Sequence, residues 1–212
     1  MPQRLKEEVR GRVLAAAAAV FAEKGFAAAK LADVAERAGT SPSNIYKYVE
    51  HKDALFQAIV TPALAARLLR LMRARVRELG SIEQWLSANA AGSERARAFL
   101  QFLTDHRLVV LILLRGSQGT CYAHVPKLMT KEMLRLASRY VTDRHGDGAL
   151  TPLLRFTLDR TFARTIDTIG DILASHRDAP TIAAAFDLFW RFQLAGLQAL
   201  LNPPATDPRS SR

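Results

Sequence analysis

Glycine and proline fall, with few exceptions, between stretches of helical periodicity, and this punctuation constrains the fold more than any other feature of the chain. A first segment, 4–24, stops at Gly25. Within it Leu5, Val9, Val13, Ala16 and Val20 recur every three or four residues and form one apolar stripe. Segment 31–38 follows, with Leu31, Val34, Ala35 and Ala38 on one face, and it ends at Gly39. A short helix is expected over 42–49, and a long one from Lys52 or Asp53 toward Leu79. Pro62 interrupts the long pattern. Inside a helix it would cost ~3 kcal/mol, so a bend or break is expected near Val60, with a new start at Thr61-Pro62. Further helices are expected at 82–91, 94–106, 108–115, 125–144, 152–176 and 181–201. No segment alternates convincingly with a period of two. The chain holds 35 Ala and 29 Leu against 11 Val and 8 Ile, a balance that favours helix over strand. The expected fold class is all-α.

Several function classes fall away on simple grounds. One cysteine, Cys121, permits neither an internal disulfide framework nor a Cys-rich zinc site. The longest apolar runs, 13–22 and 108–114, are well short of the ~20 residues needed to span a bilayer. Glu7 and Glu8 stand where a signal peptide needs positive charge. A reduced, soluble, cytoplasmic protein without membrane contact is expected. The tail 202–212, with three Pro and two Ser, is expected to be disordered. No metal or cofactor is expected, because the five histidines are dispersed without a ligand pair at helical spacing. Gly116-Ser117-Gln118-Gly119 lacks the leading glycine of a nucleophile elbow and reads as a turn. Cys121 reads as an inert small hydrophobe, with redox sensing the lesser alternative.

The net charge of +10 suits a polyanionic partner, but its distribution does not point to one end. Residues 1–60 carry +2, residues 61–150 carry +7, and residues 151–212 carry +1. On charge alone a solvated arginine-rich surface is the simpler reading. The spacing around Gly39 says more. Gly39 can take the left-handed conformation that ends a helix, Ser41 can cap the next one, and Pro42 needs no N–H in the first turn. Two short helices joined by this Gly-led turn make a helix-turn-helix, whose second helix enters the major groove. Ile45 and Val49 can face a small core, leaving Ser43, Asn44, Lys47 and a tyrosine outside. Asn and Lys can read purine edges, and hydroxyls can meet bases or phosphates. A capped surface helix with two amphipathic tyrosines is the alternative reading.

Gly25-Phe26, the run from Leu31 to Ser41, Ile45-Tyr46-Lys47-Tyr48-Val49 and Lys52-Asp53-Ala54-Leu55 together resemble the N-terminal signature of TetR-type repressors. The resemblance is continuous over about residues 9–60 and implies a homodimeric repressor. It also implies that Ser41, Ser43, Asn44, Tyr46, Lys47, Tyr48 and Lys52 hold DNA. Tyr46 and Lys52 would mainly meet phosphates, while Ser43, Asn44 and Lys47 would read bases. The chain departs from the family at Ala29 and Lys30, where Thr or Ser usually stands. A hydroxyl cap on the second helix is thereby lost, and Lys30 can replace the phosphate contact by charge but not the cap. Residues 1–60 are expected to bind double-stranded DNA at a near-palindromic operator. Residues 61–201 are expected to bind a small-molecule effector and to dimerise.

The last helix is apolar almost all round, with Phe186, Phe189, Trp190 and Leu197 pointing in different directions. Such a helix needs cover on every side. The helix before it offers Leu158, Phe162 and Ile169 at matching spacing. These seven residues are the expected dimer interface, and a central core helix within a monomer is the alternative. Trp85, Phe102, His106, Arg115, Tyr122, Phe156, Arg160 and Arg164 are candidates to line an effector pocket, against the plainer alternative of ordinary core. Arg160 and Arg164 lie four apart and would suit an anion, although pairing of Arg164 with Asp167 or Asp171 ranks higher. Two rival functions remain at this stage. One is a DNA-binding activator or a regulator independent of any ligand. The other is a helical-bundle enzyme with an incidental helix-turn-helix.

Overall fold

A computed structural model describes residues 2–81 and 93–201, and among these the chain is helical with no strand. The helices are α1 (Pro2–Ala28), α2 (Leu31–Arg37), α3 (Pro42–Ile45), α4 (Lys52–Ile59), α5 (Pro62–Gly80), α6 (Glu94–Asp105), α7 (Arg107–Leu111), α8 (Val125–His145), α9 (Pro152–Ser175) and α10 (Ala179–Leu201). The helix expected over 82–91 and the tail 202–212 lie outside the described residues. The all-α expectation holds, and the break at Pro62 falls where the sequence puts it. α4 and α5 meet at a 42° bend across Val60-Thr61.

Packing does not follow chain order. One compact unit comprises Met1–Leu69 with His106–Met129, and a second comprises Arg70–Asp105 with Thr130–Arg212. The division falls inside α5 and α8.

In the first unit, Val13, Ala17 and Phe21 of α1 meet Val34 and Ala35 of α2 and Ile45 of α3, all fully buried. Burying a large apolar side chain contributes roughly 1.5–3 kcal/mol. Phe21, Phe26 and Phe56 form a cluster with ring centroids 5.0, 5.7 and 5.9 Å apart, and Tyr122 extends it at 6.2 Å from Phe56. The three-helix head is therefore not closed by the N-terminal segment alone. α7 runs into a π-helical turn, Ile112–Gly116, whose Ile112, Leu113 and Leu114 are buried. This turn packs closely on α1. A β-carbon at Gly116 would stand 2.6 Å from the Phe21 carbonyl oxygen and 3.4 Å from Gly25 Cα. Gly116 thus ends a packed turn rather than serving a loose loop. The following Ser117 hydroxyl is 3.2 Å from the Tyr122 carbonyl and closes the 117–122 turn.

The second unit is built on the stripe Leu158, Phe162, Ile166, Ile169 and Leu173 of α9, with Ile182, Phe186, Leu194 and Leu201 of α10 also buried. The Gln193 amide donates to the Thr165 hydroxyl at 3.1 Å and ties the two helices at mid-length. On α8, Glu132 accepts from Arg135 at 2.8 and 3.0 Å and from Arg73 at 2.8 Å. The Arg135 bond foremost, with Arg73 behind it, pulls the Glu132 carboxyl from its ordinary value to about 2. α10 is not covered all round, as its composition would demand: Leu188 is 64% exposed and Phe192 is 80% exposed. Ala184, Ala195, Gly196 and Ala199 are exposed with them.

Candidate nucleic-acid interface

The turn between α2 and α3 takes the form that Gly39, Ser41 and Pro42 dictate. α2 ends in a Schellman arrangement. The Gly39 N–H donates to the Glu36 carbonyl and the Thr40 N–H to the Ala35 carbonyl, at 3.1 and 3.0 Å. Gly39 has φ +66°, a conformation that strains any residue with a side chain. Ser41 caps α3, its hydroxyl accepting the Asn44 N–H at 3.2 Å and lying 3.1 Å from the Ser43 hydroxyl. Pro42 occupies the first helical position.

α3 is shorter than the expected 42–49. After Ile45 the backbone tightens into i→i+3 bonds, Lys47 N–H to Asn44 and Tyr48 N–H to Ile45, both 3.0 Å. The side chains still divide as the spacing requires. Ile45 and Val49 are buried, while Ser41, Ser43, Tyr46 and Lys47 are exposed, Tyr46 by 62%. Asn44 and Tyr48 are half-buried. One short element thus holds two hydroxyls, a phenol and an ammonium toward solvent, fixed from behind by two aliphatic anchors.

The start of α2 shows how the chain manages without a hydroxyl cap. Lys30 occupies the cap position and accepts nothing, since an ammonium has no lone pair. Asp33, three residues on, accepts the Lys30 N–H at 3.0 Å, which is the reciprocal half of a capping box. That bond, with the Lys24 ammonium 2.9 Å away, lowers the Asp33 pKa below its ordinary value. Ala29 is buried and Lys30 is exposed.

Lys52 behaves differently from a solvent-facing phosphate ligand. Its ammonium donates to the Phe26 and Ala29 carbonyls at 2.7 and 3.0 Å, lies 3.5 Å from the Ala27 carbonyl, and sits 4.4 Å from the Phe26 ring centroid. These are carbonyls that the C-terminus of α1 leaves open beyond Gly25, which has φ +74°. All three donors of Lys52 are directed at backbone, so its role here is to lock α1 onto α4. That lock was not legible in the sequence, which offered Lys52 only as a charge. His51 caps α4, its Nδ1 accepting the Ala54 N–H at 2.9 Å.

The other candidate residues are divided between the two units. His106, Arg115 and Tyr122 belong to the first unit, while Phe102, Phe156, Arg160 and Arg164 belong to the second. Trp85 lies outside the described residues. Phe102 is buried core, and Arg115 and Phe156 are exposed. Arg160 and Arg164 face solvent, opposite the buried stripe of α9, where Arg160 pairs with Asp159 and Arg164 with Asp167 at 3.4 Å. The higher-ranked pairing of Arg164 with Asp167 is present. Of the seven residues expected between subunits, Leu158, Phe162, Ile169 and Phe186 are buried by their own chain and offer no surface to a partner. Phe189, Trp190 and Leu197 are half-buried. Among the described residues, no three His, Cys, Asp or Glu side chains stand where they could hold a metal ion.

Comparison with known proteins bears on the same segment. Residues 13–59 match the family model described as bacterial regulatory proteins, tetR family. A curated protein of Haemophilus influenzae, described as an uncharacterized HTH-type transcriptional regulator, is 31% identical over 121 residues. That match covers 56% of this chain and 55% of that protein, so the chain spans about half the length of this relative. A crystallised Mesorhizobium loti protein described as a TetR-family transcriptional regulator is similar over 90% of this chain and 97% of its own, at 15% identity and a TM-score of 0.42.

Proposed function

We propose that this chain, whose residues 13–59 match the model of the tetR family of bacterial regulatory proteins, belongs to that family and is a sequence-specific DNA-binding transcriptional regulator acting as a homodimer. The observation that carries the reading is the exposed face of Ser43, Tyr46 and Lys47 over the buried anchors Ile45 and Val49. Lys47 and Ser43 read base edges, Tyr46 meets a phosphate, and Lys30 adds charge at the start of α2. Lys52 acts through the structure of the head rather than as a phosphate donor.

The dimer reading rests on α10. Leu188, Phe192, Ala195, Gly196 and Ala199 repeat at helical spacing and are all exposed. Large exposed apolar side chains beside small residues suit close approach of a second helix. Two copies joined there would present two recognition elements to a near-palindrome. The protein works as a repressor, released by a small-molecule effector that binds better to the state with mis-spaced recognition elements. Such a ligand lowers DNA affinity by that difference in affinity.

Phe192→Glu tests the assembly directly. Because Phe192 is 80% exposed, the single chain should keep its helicity. Sedimentation is expected to shift from two chains to one, and operator affinity to fall by more than about tenfold. An unchanged mass would exclude this face as the interface.

A further inference from the structure

We propose that the groove between α8 and α9 in the second unit binds an organic carboxylate with an apolar body. The groove has a volume of about 730 Å³ and is lined by Lys131, Leu134, Arg135 and Ser138 of α8 and by Pro152, Arg155, Phe156 and Asp159 of α9. That volume lies within the usual range for small-molecule sites, roughly 300–1,000 Å³.

Its chemistry is lopsided. Three cations face one carboxylate, and that carboxylate, Asp159, is already held by Arg160. Arg135 is held by Glu132. Among the described residues Lys131 and Arg155 have no ion-pair partner, so two positive charges stand uncompensated at one groove. Pro152 brings the N-terminus of α9, a 24-residue helix, to the same place, where the helix dipole adds partial positive charge. Inside the groove the Ser138 hydroxyl is buried and has no hydrogen-bond partner among the described residues. A buried hydroxyl without a partner is rare and unfavourable, and an acceptor oxygen in the groove would satisfy it.

The remaining lining selects the ligand class. Leu134, Pro152 and Phe156 are apolar, and Phe156 is 63% exposed with a free ring face. A bare inorganic anion would leave this surface wet, and a neutral hydrocarbon would leave the charges and the hydroxyl unmet. A carboxylate on an aromatic or short aliphatic body meets both. This inference does not depend on DNA binding, and its test is made without DNA.

The test is calorimetric titration of the whole protein with 2-naphthoate, with 2-naphthalenemethanol and inorganic phosphate as controls, repeated on Arg155→Gln and Ser138→Ala. Saturable binding of 2-naphthoate at one site per chain is expected, with both controls markedly weaker. Arg155→Gln, an exposed change, should weaken binding at least about tenfold. Ser138→Ala should weaken it as well, yet raise the melting temperature of the free protein by removing the unpaired hydroxyl. Absence of saturable binding would overturn the proposal. So would equal binding of the alcohol or of phosphate alone, or affinity unchanged in both variants.

Discussion

Replacing Tyr46 by Phe and Lys47 by Ala together should weaken operator binding by at least about three orders of magnitude while leaving the fold intact. Each good contact to a base edge or phosphate is worth roughly 1–3 kcal/mol, and a homodimer loses each one twice. Both residues are exposed, Tyr46 by 62%, and exposed substitutions usually change stability by no more than about 0.5 kcal/mol. Fluorescence anisotropy with labelled operator measures the loss, and thermal unfolding monitors the fold. If Lys47 meets a phosphate rather than a base, its removal should also flatten the dependence of affinity on salt, by about one unit of slope per subunit. A double variant that bound as tightly as the parent would remove this face from the interface.

Gly116→Val should destabilise the protein by about 3 kcal/mol, the upper end of overpacking costs. Its β-carbon would lie 2.6 Å from the Phe21 carbonyl oxygen. That oxygen belongs to the backbone of α1, so relief requires α1 or the π-helical turn to move, and the buried Ile112, Leu113 and Leu114 would move with it. For a chain of this size the melting temperature should fall by roughly 6–12 °C. Gly11→Ala makes the opposing control. Gly11 lies within α1 with nothing within 4 Å of an added β-carbon, and the change should stabilise by about 0.5–1 kcal/mol. If the two substitutions behaved alike, the close approach of the π-helical turn to α1 would not be a determinant of stability.

Local grammar explains what could be read in the sequence. Gly39, Ser41 and Pro42 each act within four residues, and the turn they specify is present with its bonds. Pro62 likewise acts on its own turn, and α4 and α5 part there. Long-range choices were less legible. The run 108–114 is apolar throughout, so it carries no facing information, and nothing in it says that it will close the N-terminal head. The stripe Leu158, Phe162, Ile169 is a single face. A single face can serve its own core or a partner, and here its own core takes it. That choice also turns Arg160 and Arg164 to solvent, since they stand opposite on the same helix. The Lys52 lock depends on a four-carbon stem reaching carbonyls 23 and 26 residues earlier in the chain, a distance no motif encodes.

The central claim is a symmetric reader of DNA, and selection of bound duplexes from a random library, at two salt concentrations, tests it most directly. The account predicts enrichment of a near-palindrome whose half-sites are separated by about one helical turn or a larger groove-matching distance, with affinity falling steeply as salt rises. No enrichment at either salt, from protein shown to be folded and dimeric, would contradict it.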